Sequence, residues 1–213
     1  RAEPLVLCFP DIPSERYFSM QFTDMNMFNI GSVDSRKSSA GAGCVMLIGP
    51  SYLGLVPTGV KQLLRSSTDF AKVIYRTQVF GPDDLEVAAR LQSGFTLQPL
   101  SIYRPLNVAP PVVPVIKWRK VSATAFDSDF APTLNFLLPL ASPVDKESVE
   151  RFARIGIGPA RRTAFEELPA DTRAAVMAGF ADGKAAIAAR AKTLEQLVNG
   201  WRVDAPMGDQ AWF

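Results

Sequence analysis

The chain has 213 residues, of which 47% are hydrophobic and 21% charged, so its composition is that of an ordinary globular protein and excludes disorder and collagen-like structure. Lys and Arg number 23 against 21 Asp and Glu, and the resulting net charge of +2 gives no bulk electrostatic reason to bind nucleic acid or a membrane surface. At roughly 100–200 residues per domain, the length fits one large domain or one and a half.

The chain contains no histidine, and this excludes several kinds of catalytic centre. Ser-His-Asp and Cys-His nucleophile systems need an imidazole base, and the usual zinc sites need histidine or several cysteines. Gly41-Ala42-Gly43 precedes a predicted strand and lacks the third glycine of a dinucleotide-binding loop. We therefore expect no metal site and no cofactor, which leaves carboxylate, tyrosine, lysine or arginine chemistry open.

The first 80 residues carry the period-two pattern of a β domain. Leu5–Phe9 is apolar, and residues 16–28 and 73–80 alternate between apolar and polar side chains. Residues 45–48 form a continuous apolar run, as a central strand does. Clusters of proline, glycine and serine separate these segments, and short strands at such spacing predict an antiparallel sandwich or barrel.

The pattern then changes to a helical period. Asp83 or Asp84 is suited to cap a helix. The apolar face of this predicted helix would comprise Leu85, Val87, Ala88 and Leu91. Five prolines between Pro99 and Pro114 exclude a helix interior or a central strand there, so we predict an extended connection with polyproline character.

The last third of the chain predicts helices. Helical patterns cover residues 126–138, 145–155 with Asp145 as its cap, and 161–168, and a long helix is predicted from Pro169 to about residue 198. Four residues of that segment recur every seven positions: Phe180, Ile187, Leu194 and Trp201. Because so few heptads do not sustain an independent coiled coil, we expect this stripe to pack on the β core.

Cys8 and Cys44 both lie in or beside apolar segments predicted as strands. We interpret them as buried small hydrophobic residues. A disulfide between adjacent strands is the alternative, and its geometry is not encoded in the spacing.

A dense set of polar residues surrounds the predicted strand at residues 16–28, and its members are Asp11, Arg16, Tyr17, Gln21, Asp24 and Asn29. Asp24 falls on the otherwise apolar face, where a carboxylate needs a cation or several hydrogen bonds. Arg76, which precedes Thr77 on another predicted strand, is the natural partner. The pair would either fix the strand register or lie at the mouth of a barrel and bind a carboxylate or a sugar hydroxyl.

Short motifs occur along the chain in a distinctive order: Phe9-Pro10-Asp11, Arg16-Tyr17, Gln21, Asp24, Asn29, Ile48-Gly49-Pro50, Arg65-Ser66, Arg76-Thr77, Gly81-Pro82-Asp83-Asp84-Leu85, Ile155-Gly156-Ile157-Gly158-Pro159 and Gly200-Trp201. Each motif is weak alone, but their order and spacing over nearly the whole chain resemble a bacterial family known as domain of unknown function 1254.

This resemblance implies jelly-roll-like β domains with helices packed on them. Family members usually carry a helical segment upstream and a second β domain, domain of unknown function 1214, downstream. Neither pattern occurs in this chain, so we expect it to be a fragment of a longer protein. Many members look exported, which implies a periplasmic or secreted location, with a cytoplasmic location still open.

We therefore predict an α+β fold in which an antiparallel β sandwich or jelly-roll-like barrel is followed by a helical segment packed on it. The predicted divisions are a β domain at 1–100, a proline-rich connection at 101–122 and a helical segment at 123–213. The leading functional hypothesis is an exported domain that binds a small polar organic molecule, with carbohydrate as the preferred class, through Asp11, Arg16, Tyr17, Gln21, Asp24, Asn29, Arg76 and Thr77.

Two alternatives stay open. The first is a hydrolase whose acid/base pair is Asp24 or Asp11 with a residue from outside this chain. The second is a structural subunit of an assembly, including a homo-oligomer, in which the heptad-spaced helix meets a partner. No apolar stretch is long enough to predict a membrane span.

Overall fold

The computed structural model describes residues 3–36, 41–104, 111–112, 115–120, 125, 127, 129–141, 146–159, 161–193 and 197–202. The chain forms two compact units, residues 1–116 and residues 117–213. The first unit is mainly β and the second mainly helical, which confirms the predicted α+β class. The predicted three-part division and the packing of the helices on the sheets stay predictions.

Among the described residues of the first unit, seven strands form two sheets. Their bounds are β1 Leu5–Phe9, β2 Phe18–Asp24, β3 Asn29–Asp34, β4 Gly43–Ile48, β5 Val60–Arg65, β6 Ala71–Thr77 and β7 Thr96–Pro99. The four-stranded sheet has the order β5-β4-β1-β7, and the three-stranded sheet has the order β3-β2-β6. Neighbouring strands run antiparallel, as predicted, except that β4 and β5 are parallel. The β4–β5 exception arises because residues 49–59 cross over instead of forming a tight hairpin.

The inner faces of the two sheets share one apolar core. Leu7, Phe9 and Val45 of the four-stranded sheet lie in the same buried cluster as Met20 and Phe22 of the three-stranded sheet. Met20, Phe22 and Val45 have no exposed surface at all. Full burial of such a side chain is worth about 1.5–3 kcal/mol, so the period-two pattern of β2 fixes which of its faces turns inward.

The other face of the four-stranded sheet carries the two cysteines. Cys8 and Cys44 lie directly opposite each other in the β1–β4 register and form a disulfide. Both are packed against a buried cluster that contains Val6, Met46 and Ile48. The interpretation as separate buried thiols is wrong, because strand pairing brings together two residues that are 36 positions apart.

The helix predicted after residue 83 is confirmed as α1, Leu85–Ser93, which follows a single 3-10 turn at Pro82–Asp84. Ala88 is buried, whereas Leu85 and Val87 are exposed. Asp84 precedes the helix, but its carboxylate makes no capping hydrogen bond. A one-turn helix, α2 (Leu100–Tyr103), occupies the start of the segment predicted as an extended connection.

In the described part of the second unit the α-helices are α3 Phe130–Leu137, α4 Lys146–Arg154 and α5 Ala170–Thr193. Ala131, Ile157 and Phe165 form its buried core, and Phe152 and Phe180 pack against it. The helix predicted at 161–168 is reduced to a 3-10 turn at Phe165–Glu167. Asp145, the predicted cap of α4, lies outside the described residues.

The prediction that the long helix reaches residue 198 is wrong. α5 ends at Thr193, and β8 (Leu197–Val198) pairs with β9 (Trp201–Arg202) in a hairpin. Asn199 and Gly200 both have positive φ, at 51° and 82°, which is the backbone of a two-residue hairpin turn and the reason for an Asn-Gly pair there. The heptad stripe is therefore broken, because Trp201 belongs to a strand and Ile187 is 74% exposed. Leu194 lies outside the described residues.

In the described part of the chain, no helix is long and apolar enough to cross a membrane.

Candidate ligand-binding face

The predicted ion pair between Asp24 and Arg76 is wrong. In the β2–β6 register, Asp24 lies opposite Ala71 and Arg76 lies opposite Ser19, so the two residues are at opposite ends of the strand pair. They are also on opposite faces of the sheet. Asp24 is on the same face of β2 as buried Phe22, whereas Ser19 is on the other face, and Arg76 shares that face because it pairs with Ser19.

Asp24 is 1% exposed and is satisfied by hydrogen bonds in place of a cation. Its Oδ1 accepts from the backbone N–H groups of Asn26 at 2.9 Å and Phe28 at 3.0 Å, and its Oδ2 accepts from Ser67 Oγ at 2.7 Å. The carboxylate thus ties the turn after β2 to the polar loop between β5 and β6. A buried carboxylate with its acceptor sites already used is a structural group, and this removes Asp24 as the acid/base residue of the hydrolase alternative.

Arg16 is 5% exposed and forms a bidentate pair with Asp84. Its two terminal nitrogens each lie 2.6 Å from an oxygen of that carboxylate, and Nη1 also donates to the carbonyl of Gln78 at 2.6 Å. The Phe80 ring covers the guanidinium, with 4.7 Å between Cζ and the ring centroid. Hydrogen bonds from Arg16 and then from the backbone N–H of Phe80 lower the pKa of Asp84 to about 2. Arg16 therefore clamps the segment that enters α1.

Of three other predicted site residues, Tyr17 and Thr77 lie close together at one end of the β2–β6 pair, and Asp11 lies in a loop. Asp11 is exposed in the loop between β1 and β2, and Tyr17 precedes β2, where its backbone N–H donates to Gln78 Oε1 at 2.9 Å. Thr77 lies on β6 opposite Phe18, and its buried hydroxyl has no hydrogen-bond partner among the described residues. The eight predicted residues therefore do not form a single site.

The outer face of the three-stranded sheet is instead the place where polar side chains gather. Strand register places three rows across it, each taken from β3, β2 and β6 in turn. The first row is Asp34, Ser19 and Arg76; the second is Ser32, Gln21 and Ile74; the third is Asn29, Thr23 and Lys72. We call these nine residues the outer polar face. A β-bulge between Phe22 and Thr23 brings Asn29 into the third row.

Ser19 and Thr23 on the central strand form a floor of short hydroxyl side chains, and β3 and β6 flank this floor on either side. Ser19 and Thr23 are 5% and 4% exposed, whereas Lys72 and Arg76 are exposed. Arg76 Nη1 donates to Gln21 Oε1 at 3.0 Å, which holds the guanidinium across the floor. Thr23 Oγ1 is buried and has no partner among the described residues. The face thus combines a positioned cation, hydroxyls, an amide and the Asp34 carboxylate.

Three of the eight predicted residues, Gln21, Asn29 and Arg76, belong to the outer polar face. The sequence pattern placed Ser19 and Thr23 beside Gln21 on one side of β2, but the contributions of Ser32, Asp34 and Lys72 were missed. Alternation of polar and apolar side chains in residues 29–34 could have predicted the polar face of β3, but Gly31 and the bulge weaken that pattern. Asp84 was missed as the partner of Arg16 because it was assigned to helix capping.

A groove of about 520 Å³ lies along α5 in the second unit and is lined by Asp127, Met177, Phe180, Ala181, Lys184, Ala185 and Ala188. Its two charged residues already pair, with Lys184 Nζ 2.6 Å from Asp127 Oδ1, and its other lining residues are apolar. The outer polar face is therefore the better candidate for a polar ligand. Among the described residues, no group of acidic, cysteine or histidine side chains could hold a metal ion.

These features define an α+β protein built on a two-sheet sandwich. Residues 1–99 match the model of the family described as "Protein of unknown function (DUF1254)". The motifs at residues 155–159 and 200–201 lie beyond the matched range, so their resemblance stays a prediction. None of the curated proteins matches the chain.

A similar solved structure is the crystal structure of the VPA0106 protein from Vibrio parahaemolyticus, with a TM-score of 0.69 and 22% sequence identity. The similarity covers 89% of this chain and 46% of that protein, so this chain spans less than half the length of its structural relative. At this identity the likeness shows the fold alone.

Proposed function

We propose that the first unit is a binding domain for a small polar organic molecule, with carbohydrate as the preferred class, and that the ligand lies on the outer polar face. The observation that carries the proposal is the Gln21–Arg76 hydrogen bond, which holds a cation over a floor of small hydroxyl side chains. Sugar hydroxyls are both donors and acceptors, and this face offers Ser19, Gln21 and Asp34 as partners of both kinds.

The Cys8–Cys44 disulfide supports an exported location for the protein. Disulfides form and persist in oxidising compartments such as the periplasm and the extracellular space, and they are rare in the cytosol. The pairing of the two cysteines thus agrees with the location that the family resemblance implies. Carbohydrates and small carboxylates are among the polar solutes that an exported binding domain meets.

The binding hypothesis is tested by titration of the oxidised protein with a panel of neutral sugars and small carboxylates. Binding is detected by calorimetry and by backbone amide NMR. We expect a ligand to shift the amide signals of β2 and β6 and to raise the melting temperature. At about 100 times its dissociation constant, a ligand stabilises the folded state by about 2.7 kcal/mol.

Gln21→Ala is the informative variant, because it removes the group that orients Arg76 and leaves the inner core untouched. We expect it to weaken binding without a change in the melting temperature of the free protein. Gln92→Ala on α1 is the matched control, since it truncates an exposed glutamine away from this face. Equal loss of affinity in both variants, or perturbed signals confined to other elements, would contradict the proposal.

A further inference from the structure

The charge on the outer polar face is unevenly placed, and this bears on the class of ligand. Both cations, Lys72 and Arg76, lie on the edge strand β6 and flank Ile74. The face has one carboxylate, Asp34, which lies on β3 at the opposite wall and accepts a hydrogen bond from the backbone N–H of Arg36 at 3.0 Å. Along β6 the face is therefore locally positive.

Neither cation is neutralised within the described residues. Arg76 makes one hydrogen bond, through Nη1 to Gln21, so its Nε and Nη2 edge is left for another acceptor. Lys72 makes no hydrogen bond or ion pair with the described part of the chain. A guanidinium edge of this kind matches a carboxylate in a bidentate arrangement, and lysine acts as a flexible point charge.

The spacing of the two cations indicates an extended ligand. Residues four positions apart on one strand are separated by about 13 Å, at roughly 3.3 Å per residue. This is the separation of the Cα atoms, and an extended ligand reaches both charged groups without either side chain bending toward the other. A chain of acidic sugar units is such a ligand, because it carries carboxylates at intervals along its length. The hydroxyl floor of Ser19 and Thr23 and the Gln21 amide run beside the line that joins the two cations.

We propose, building on the proposed function, that the ligand is an acidic oligosaccharide whose carboxylates pair with Arg76 and Lys72 while its hydroxyls contact the Gln21 amide between them. Arg76 selects a carboxylate by its planar fork, and Lys72 secures a second acidic unit further along the strand. A neutral oligosaccharide would lose both charge-assisted contacts.

The test compares three probes by calorimetry on the oxidised protein: a short oligogalacturonate, a maltooligosaccharide of the same length and a linear dicarboxylic acid. We expect the oligogalacturonate to bind most tightly, with an affinity that falls as salt is raised. Arg76→Gln and Lys72→Gln should each weaken it by about tenfold, the change that corresponds to 1.4 kcal/mol. Arg90→Gln on the exposed side of α1 removes the same charge elsewhere and should leave the affinity unchanged.

The outcomes separate this inference from the function on which it rests. If the maltooligosaccharide binds as tightly, and Gln21→Ala weakens it while Arg76→Gln and Lys72→Gln do not, the acidic ligand is refuted and the binding face stands. If the dicarboxylic acid binds as well as the oligogalacturonate, the sugar units contribute nothing and the saccharide class is refuted. If no probe shifts the amide signals of β2 and β6, both proposals fail.

Discussion

Removal of the Cys8–Cys44 disulfide should destabilise the first unit by a predictable amount. The bond closes a loop between residues 36 positions apart, and in the chain-entropy account a loop of this size stabilises the fold by about 4 kcal/mol at 25 °C. Reduction leaves both partly buried sulfur atoms packed against the buried cluster of Val6, Met46 and Ile48, so the entropic contribution is isolated. Cys8→Ala/Cys44→Ala also removes two partly buried sulfurs, which adds about 1 kcal/mol.

Thermal unfolding followed by circular dichroism, with and without a reductant, measures the effect. For a unit of this size, a loss of about 4 kcal/mol lowers the melting temperature by on the order of 15 °C. A thiol titration confirms that the bond is broken, and the double alanine variant should not respond to the reductant. The two strands and their inner-face core remain paired in either form, so we expect cooperative unfolding to persist.

The predicted destabilisation would be refuted by a reduced protein that melts within about 3 °C of the oxidised one, since this difference corresponds to less than 1 kcal/mol. It would be refuted equally by a double alanine variant that remains sensitive to the reductant, because no other cysteine exists in the chain. Recovery of the original melting temperature on reoxidation distinguishes loss of the disulfide from irreversible damage.

Three further predictions follow from individual contacts. Pairing with Arg16 lowers the pKa of Asp84 to about 2, so the Arg16–Asp84 pair stabilises the fold above the unfolded pKa of about 4, and this stabilisation is lost as pH falls from about 4 to 2. Asp84→Asn should therefore flatten the acid side of a curve of unfolding free energy against pH over that window. Gly156 has a φ of 75°, and an added Cβ would lie 2.7 Å from the backbone of Phe165, so Gly156→Ala should lower the free energy of unfolding by about 1–3 kcal/mol or more. Gly183 on α5 has open space around it, so Gly183→Ala should raise the free energy of unfolding by about 0.5–1 kcal/mol in denaturant titrations. Asp24→Ala should lose about 2–4 kcal/mol in the same titrations, because it leaves buried donors unpaired, and a loss below 1 kcal/mol would contradict the assigned structural role.

Local pattern was enough to predict the elements whose burial repeats with a regular period. Alternation located β2 and β6, continuous apolar runs located β1 and β4, and the switch to a helical period located α1, because the period decides which side chains share a face. The Asn199-Gly200 turn was also visible in the sequence. The heptad spacing of apolar residues, on which the long helix was predicted, carries no information about whether the chain reverses direction.

The candidate site was predicted only in part, since its residues come from three strands whose pairing is not a local property. Gln21 and Arg76 are 55 positions apart and share the face because β2 pairs with β6 in one register, and a shift by one residue would turn either side chain to the core. Asp34 joins them only through the β2–β3 pairing.

Residue patterns and composition therefore account for the β-then-α order of the chain, the inward face of β2 and the exclusion of histidine-dependent chemistry. Tertiary structure alone decided the partners: Asp24 with Ser67 instead of Arg76, Arg16 with Asp84, and Cys8 with Cys44. The physical reason is that burial preference is a property of each side chain, whereas a partner is chosen by the lowest free energy of the whole packed domain, in which every buried polar group must be satisfied at once.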